Sequence, residues 1–252
     1  MKLIITDLDR TLLRRDKTIS DFTAEVLRRC REKGILVAYA TLRPANAIKR
    51  VKAAAMPDFV IADGGAEIWH GEQLIFRNPI QKEVAAELLR ALLSNEDIKE
   101  ISVTAAEGTF TNYNGEPWDA GWEFIHTDFS DGKEYDATKL SVEFARMEAV
   151  MEIMRSFPQL KLVANSGEPW CQMLKSECAK EIAAQVLCEK LGISAREVTA
   201  FGDDFSDMEL IRWSGTGVAV DNAIDEVKAV ADYICGSNDS DGVAMWIDEH
   251  LL

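Results

Sequence analysis

The sequence predicts an α/β fold in which a parallel sheet carries helices on its faces and is interrupted by a smaller α+β domain. Short, continuous apolar runs alternate with helical patterns at both ends of the chain, which is typical of parallel strands that are buried on both faces. Between about residues 79 and 175 the pattern changes to alternating strands mixed with helices. We therefore expect a core formed by residues 1–78 and 176–252, with residues 79–175 as an inserted α+β domain.

The first part of the core is predicted from apolar runs and helix boundary signals. The runs at 3–5, 35–40 and 59–62 predict strands. Ser20 is a favourable N-cap and Gly34 a favourable C-cap, so a helix is expected between them, and another from about Ala45. A hairpin is expected at 67–76.

The same reasoning places the remaining elements. The inserted domain is expected to contain helices at 82–93 and 147–156 and strands at 101–104, 140–144 and 160–163. The second part of the core is expected to contain strands at 198–201, 217–220 and 233–235 and helices at 178–190, 207–213, 224–231 and from about 241.

Charge and composition argue against several classes of protein. The 252 residues carry a formal net charge of −15 and no basic run, so we expect no nucleic-acid partner. No apolar stretch approaches the ~20 residues that span a bilayer, so no membrane partner is expected. The five cysteines form no Cys-x-x-Cys pair and no leader pattern precedes the first strand, which predicts reduced thiols and a cytoplasmic location. An anionic ligand of so acidic a chain would need local cations.

Two carboxylates, Asp7 and Asp9, directly follow the first predicted strand. In an extended chain they lie on the same side, where they repel each other. A cation, a basic side chain or a shared proton would compensate for this repulsion. The simpler interpretation is an acidic strand end that caps a turn.

Further polar groups follow other predicted strands or begin helices. Because the carboxyl ends of parallel strands meet at one edge of a sheet, these groups are expected to lie together. Carboxylates from two distant segments suit Mg²⁺, which leaves coordination positions for water and phosphate. Taken alone, each group has a simpler interpretation as a helix cap or a solvated side chain. The groups are Asp7, Asp9 and Thr11; Thr41 and Arg43; Lys180; and Asp203, Asp204 and Asp207.

These motifs resemble those of the haloacid dehalogenase (HAD) superfamily of phosphohydrolases, in particular its Cof-type members, which have a Rossmann-like core and a large α/β cap. Asp7-Leu8-Asp9-Arg10-Thr11 matches the first motif, Thr41 the second, Lys180 the third and Gly202–Asp207 the fourth. Residues 66–69 also resemble a segment of sucrose-phosphate phosphatases. The inserted domain occupies the position of the cap, between the second and third motifs.

The resemblance implies a role for each motif residue. Asp7 is expected to attack phosphorus while ionised and to bind Mg²⁺. Asp9 is expected to carry a proton at first, to act as general acid and then base, and to bind the metal through its backbone carbonyl, with its carboxylate turned away. Thr41 and Lys180 are expected to hold the phosphate, and Asn222 to reach the phosphate or its neighbours. Asp203 is expected to bind the metal directly, and Asp207 to act on it through water or to orient Lys180. Arg43 is expected to contact the substrate or only the sheet edge.

The chain departs from the family pattern at several places beside these residues. Leu42 and Glu181 stand where glycine is usual, Ser206 where asparagine is usual, and Gly64 where asparagine is usual. The principal chemical groups are all present, so an active enzyme is expected.

The predicted function is Mg²⁺-dependent hydrolysis of a small phosphorylated metabolite, a sugar phosphate, through an aspartyl-phosphate intermediate. The sugar preference and the role of the cap in specificity are what the resemblance implies. One alternative is a phosphosugar mutase on the same scaffold. Another is a non-catalytic protein that binds a phosphosugar.

Overall fold

The computed structural model describes residues 1–48, 55–115, 123–164 and 169–252. The chain divides into two compact units, Met1–Phe76 with Ala179–Leu252 (unit 1) and Arg77–Cys178 (unit 2). Among the described helices, none is long and apolar enough to cross a membrane. The strands are β1 (Leu3–Thr6), β2 (Leu36–Ala40), β3 (Phe59–Ala62), β4 (Glu67–His70), β5 (Gln73–Arg77), β6 (Ile98–Ala105), β7 (Gly108–Thr111), β8 (Phe124–His126), β9 (Ala137–Phe144), β10 (Leu160–Ala164), β11 (Trp170–Lys175), β12 (Val198–Gly202), β13 (Thr216–Val220) and β14 (Tyr233–Cys235).

The helices alternate with these strands along the chain. Ser20 caps the first of them as predicted, since its hydroxyl accepts a hydrogen bond from the Thr23 amide at 2.9 Å. The helices are α1 (Asp21–Glu32), α2 (Lys82–Leu93), α3 (Met147–Met154), α4 (Lys180–Leu191), α5 (Met208–Trp213), α6 (Asp225–Lys228) and α7 (Gly242–His250).

Unit 1 is built on one sheet in the order β14-β13-β12-β1-β2-β3-β4-β5. The strands from β14 to β3 are parallel, and β4 pairs antiparallel with β3. The predicted α/β fold with a parallel sheet is therefore confirmed. Since β1 lies between β12 and β2, the carboxyl ends of these three strands are adjacent at one edge.

The central strand β1 is buried on both faces, which explains its uninterrupted apolar sequence. Leu3 and Ile5 pack in a cluster with Leu187 of α4, whereas Ile4 packs in a cluster with Leu27 of α1. Burying each of these side chains contributes about 1.5–3 kcal/mol. Successive residues of β1 thus bind helices on opposite faces and hold the strand end in place.

Unit 2 has its own sheet in the order β10-β11-β9-β6-β7-β8 and its own apolar core. Alternate residues of the central strands, such as Val103 and Val142, join Leu88 of α2 in this core. The sheet is antiparallel except for the β7–β8 pair. Strands β7, β8 and β11 had no counterpart among the predicted elements, because their mixed sequences lack a clear period.

The predicted helix at 224–231 is wrong in length, since α6 ends at Lys228. The backbone amide of Asp232 donates to the Gly217 carbonyl at 2.8 Å, and the Asp232 carboxylate accepts from the Gly217 amide at 2.8 Å. This pair of bonds draws the chain onto β13 before the helix can continue.

The turn after β3 approaches the start of α4 so closely that only glycine fits. Gly65 has φ +100°, and a Cβ added there would overlap the backbone of Ala179, the residue before Lys180. The missing side chain at Gly65 therefore lets α4 begin where it does.

Replacing Gly65 by alanine is expected to lower the free energy of unfolding by about 3 kcal/mol, because the left-handed backbone and the overlap both disfavour a methyl group. The matched control is Gly34→Ala, since Gly34 has φ +74° but no atom within 4 Å of the added methyl. The control should lose only about 1 kcal/mol. Urea titration measures both, and equal losses would contradict the importance of the close approach to Ala179.

Candidate active site

Two adjacent strand ends bring the predicted acidic residues of unit 1 together. The Asp7 amide donates to the Phe201 carbonyl at 3.0 Å, which continues the β1–β12 ladder by one residue. One carboxylate oxygen from each of Asp7, Asp203 and Asp207 lies within 4.8 Å of the others, and all three residues are buried. Two distant parts of the sequence thus form one acidic cluster.

Lys180 is the buried cation of this cluster. Its ammonium lies 2.7 Å from Asp7 Oδ1 and 2.6 Å from Asp207 Oδ1. Burial lowers the pKa of Lys180, but the carboxylates of Asp207 and Asp7 outweigh that effect, so the pKa is raised and the side chain stays charged. The predicted position of Lys180, at the first residue of α4, follows from the close approach of Gly65 to Ala179.

Asp207 acts as the hub that orients Lys180. Its Oδ2 accepts hydrogen bonds from the backbone amides of Asp203 at 3.0 Å and Asp204 at 3.2 Å, while its Oδ1 accepts from Lys180. A Cβ at Gly202 would overlap the Asp207 side chain. The Gly-Asp-x-x-x-Asp spacing therefore has a physical cause, since the loop must fold back on its own glycine.

Asp203 has two further contacts from the turn after β1. Thr11 Oγ1 donates to Asp203 Oδ1 at 2.8 Å, and Arg10 Nε lies 3.6 Å from Oδ2. Burial, followed by the charge of Asp207, raises the pKa of Asp203 to about 7.

Asp7 also resists ionisation in this cluster. Burial is the main cause that raises the pKa of Asp7 well above its usual range, with the charge of Lys180 opposing it and the charges of Asp207 and Asp203 adding to it. Three ionised carboxylates around one ammonium would carry excess negative charge. The donor set therefore fits a hard divalent cation such as Mg²⁺, which would be held by Asp7 and Asp203 and would lower both pKa values.

Asp9 lies outside this cluster because the chain turns after Asp7 and does not stay extended. Arg10 has φ +61°, and the Leu13 amide donates to the Leu8 carbonyl at 2.8 Å, which closes the turn. The Asp9 carboxylate is held by Arg43 Nε at 2.6 Å and by a second Arg43 nitrogen at 2.7 Å, and by Lys17 Nζ at 2.7 Å. Asp9 thus turns away from the three clustered carboxylates.

The expected protonation of Asp9 is not met in these contacts. Burial raises the pKa of Asp9, but hydrogen bonds and charge from Arg43, and then those of Lys17, outweigh it and lower the pKa to about 2. Asp9 is therefore ionised at neutral pH. The cause is tertiary, since Arg43 follows a different strand and Lys17 follows a turn.

Thr41 shapes the loop that carries Arg43. Its Oγ1 accepts from the Arg43 amide at 3.1 Å, and its carbonyl accepts from the Gly64 amide at 2.9 Å. Thr41 is buried at the end of β2, beside β1. Contact of Thr41 with a phosphoryl group remains a prediction.

Asn222 holds two loops together. Its Nδ2 donates to the Arg10 carbonyl at 2.7 Å, and its Oδ1 accepts from the Asn238 amide at 2.9 Å. These bonds hold the turn after β1 in place. The expected contact of Asn222 with phosphate remains a prediction.

Sequence reasoning did not assign a role to Arg10 or Lys17, although both touch site carboxylates. Both have a left-handed backbone, with φ of +61° and +63°. The available signal in the sequence was a basic residue within the Asp-x-Asp-x-Thr motif, Arg10, and another shortly after it, Lys17. The left-handed conformation of these two residues is not visible in the sequence.

Comparison with known proteins identifies the family. A family model described as haloacid dehalogenase-like hydrolase matches residues 4–247. The chain is 28% identical to the 5-amino-6-(5-phospho-D-ribitylamino)uracil phosphatase YcsE of Bacillus subtilis, over all of this chain and 96% of that protein. It is 27% identical to a putative phosphatase of Buchnera aphidicola, over 98% of this chain and 97% of that protein.

A solved structure gives the same result. The chain superposes on a haloacid dehalogenase-like hydrolase from Bacteroides thetaiotaomicron with a TM-score of 0.86 and 26% identity, covering 98% of both chains. The fold and the acidic strand ends thus define an α/β enzyme, and the chain belongs to the haloacid dehalogenase-like hydrolases. The prediction of a phosphatase of this superfamily is confirmed.

The raised pKa of Asp203 predicts a pH dependence of stability in the absence of metal. Between pH ~4, the pKa of an unfolded aspartate, and pH about 7, the folded state holds a proton that the unfolded chain has released, so stability falls as pH rises. Asp203→Asn should remove this contribution to the loss of stability with rising pH. Its unfolding temperature in EDTA should match wild type at pH 4 and exceed it by about 5 °C at pH 8.

Mg²⁺ supplies the control for this prediction. At pH 8 it should raise the unfolding temperature of wild type and have little effect on Asp203→Asn. A variant that responds to Mg²⁺ like wild type would contradict the assignment of Asp203 as a ligand.

Proposed function

We propose that the protein hydrolyses the phosphate monoester of a small, hydroxyl-rich metabolite by nucleophilic attack of Asp7 on phosphorus. The observation that carries the proposal is the Asp7 carboxylate, buried at a strand end and held 2.7 Å from the Lys180 ammonium inside a cluster of three acids. A fixed carboxylate beside a permanent positive charge suits attack on an anionic phosphoryl group.

The first step transfers the phosphoryl group to Asp7. A carboxylate oxygen of Asp7 bonds to phosphorus while the ester P–O bond breaks, and the departing oxygen takes a proton from Asp9. Lys180, at the same 2.7 Å, balances the charge of Asp7 and of the phosphoryl oxygens. Bound Mg²⁺ would neutralise the remaining charge of the carboxylates and the phosphate.

The second step returns Asp7 to its starting state. Water attacks phosphorus, the Asp7–phosphorus bond breaks, and Asp9 accepts the proton of the water. The ionised Asp9 of this structure suits that step directly. To donate a proton in the first step, Asp9 must first leave Arg43 and Lys17 and take up a proton from solvent. Lys17 is partly exposed and can move aside.

Asp7→Asn should reduce release of phosphate by a thousand-fold or more, because an amide is a poor nucleophile and lacks the charge that holds the cation, roughly as for other nucleophile replacements. The measurement is free phosphate from a panel of sugar and polyol phosphates with Mg²⁺. Asp225→Asn, the same change at an exposed acid, is the matched control. Phosphate release by Asp7→Asn at the wild-type rate would contradict the mechanism.

Unit 2 supports a hydroxyl-rich substrate, and we assign it the role of a specificity cap. Gln172, Ser141, Ser102 and Thr111 lie directly opposite one another on β11, β9, β6 and β7, so they form one polar row on the face opposite the apolar core. Gln172 Oε1 is buried and has no hydrogen-bond partner among the described residues. An amide oxygen without a partner is unfavourable, so we infer that the Gln172 side chain turns to accept a hydrogen bond from a ligand hydroxyl group.

Replacing Gln172 by leucine should raise KM for the preferred polyol or sugar phosphate about tenfold relative to KM for p-nitrophenyl phosphate, because the row loses its amide. Gln159→Leu, at an exposed position of the same unit, is the control. Steady-state kinetics on both substrates measure the ratio, and an unchanged ratio in Gln172→Leu would rule out this row as the specificity surface.

A further inference from the structure

A basic pocket lies beside the turn that follows Asp7. Its volume is about 260 Å³, and its lining residues are Arg10, Arg14, Arg15, Lys17, Asn222 and Asn238, all in unit 1. Four cations meet here in a chain whose formal net charge is −15. Drug-sized ligands occupy pockets of roughly 300–1,000 Å³, so this pocket suits a small anionic group.

The walls of the pocket are fixed by hydrogen bonds of two asparagine side chains. Asn222 joins the Arg10 carbonyl to the Asn238 amide, and Asn238 Nδ2 donates to the Leu13 carbonyl at 2.9 Å. Arg14 is fixed as well, since its guanidinium binds both carboxylate oxygens of Asp241, at 3.2 and 2.6 Å. The cavity is therefore formed before any ligand arrives.

The other three cations keep part of their surface open to a ligand. Arg15 is 91% exposed and lies 3.7 Å from Asp239, and Arg10 is 50% exposed and lies 3.6 Å from Asp203. Lys17 shares the Asp9 carboxylate with Arg43. The Arg15–Asp239 pair is exposed and is worth little, and Arg10 and Lys17 keep 50% and 44% of their side-chain surface exposed, so an incoming anion can contact all three.

The backbone of the pocket is strained at its basic residues. Of the five described non-glycine residues with a left-handed backbone, Arg10 and Lys17 line this pocket, and Asp241 binds its Arg14. Arginine and lysine seldom adopt this conformation, which glycine adopts without strain. Strain of this kind gathers at functional sites, where the side chain has a use.

The pocket is connected to the candidate active site through two of its cations. Arg10 approaches Asp203 and Lys17 binds Asp9, so the pocket opens beside the carboxylates that would handle the phosphoryl group. The pocket and the acidic cluster are therefore neighbours after the end of β1.

We propose that this pocket binds a second anionic group, a phosphate or a carboxylate, carried by the ester that Asp7 attacks. This assignment rests on the proposed function for the identity of the ester. The chemistry of the pocket, four cations around a small preformed cavity, is independent of it. The protein thereby prefers doubly anionic substrates, despite its strongly negative charge.

The test compares a hexose monophosphate with the matching bisphosphate in the presence of Mg²⁺. The wild type should show a kcat/KM for the bisphosphate that is about tenfold higher, the effect of one charge-assisted hydrogen bond of about 1.4 kcal/mol. Arg15→Glu should abolish this preference, and Arg10→Gly should lower it without reducing the unfolding temperature, because glycine relieves the left-handed strain. Arg212→Glu, at an exposed residue outside the pocket, is the matched control and should keep the wild-type ratio.

A second measurement tests the pocket without relying on hydrolysis, so that failure of the pocket and failure of the proposed function can be told apart. Inorganic phosphate at constant ionic strength should raise the unfolding temperature more in wild type and Arg212→Glu than in Arg15→Glu. If neither ester releases phosphate, the proposed function fails while this shift still reports on the pocket. An Arg15-dependent shift without a bisphosphate preference would overturn the assignment to the substrate and leave a site for free anions, and the absence of both effects would overturn the site itself.

Discussion

The buried ammonium of Lys180 joins three parts of unit 1 that are distant in sequence. It binds Asp7 from β1 and Asp207 from the loop after β12, while its own helix begins against the turn after β3. Removing one partner of a buried pair leaves an uncompensated charge and typically costs about 3–5 kcal/mol. Lys180 therefore sets the geometry of the strand ends as well as their charge. The glycines at 65 and 202 serve this arrangement by leaving room for Ala179 and Asp207.

Two carboxylates that stand one residue apart have opposite electrostatic surroundings. Asp7 lies among acids in a buried cluster, where ionisation is costly, and Asp9 lies between Arg43 and Lys17, where ionisation is favoured. A divalent cation at the cluster would reverse the first of these effects and leave the second in place. The chain leaves the extended conformation after Asp7, and Arg43 and Lys17 then hold the Asp9 carboxylate apart from the acidic cluster.

Because the chain is strongly acidic, its basic residues have a large effect on the local charge around the candidate active site. Arg43 and Lys17 hold Asp9, Arg10 approaches Asp203, and Arg14 and Arg15 extend the positive surface away from the cluster. These cations lie along one edge of the sheet, where they offset local negative charge and provide positions for anionic groups. The polar row of unit 2 carries hydroxyl and amide groups instead.

The sequence by itself determined the parallel α/β core, because buried strands must be apolar on both faces and their ends then carry the polar groups. It also indicated that Asp7, Lys180, Asp203 and Asp207 belong together, since they lie at predicted strand ends or helix starts and match the motifs of the superfamily that the chain resembles. Only the tertiary structure decided that the Asp9 carboxylate lies outside this cluster, because its partners Arg43 and Lys17 come from other turns. The same holds for the pocket around Arg10, whose left-handed backbone depends on Asn222 and Asn238 more than two hundred residues away. Local periodicity predicts which residues are buried, but the protonation state of an acid and the shape of a pocket depend on contacts that only the folded chain creates.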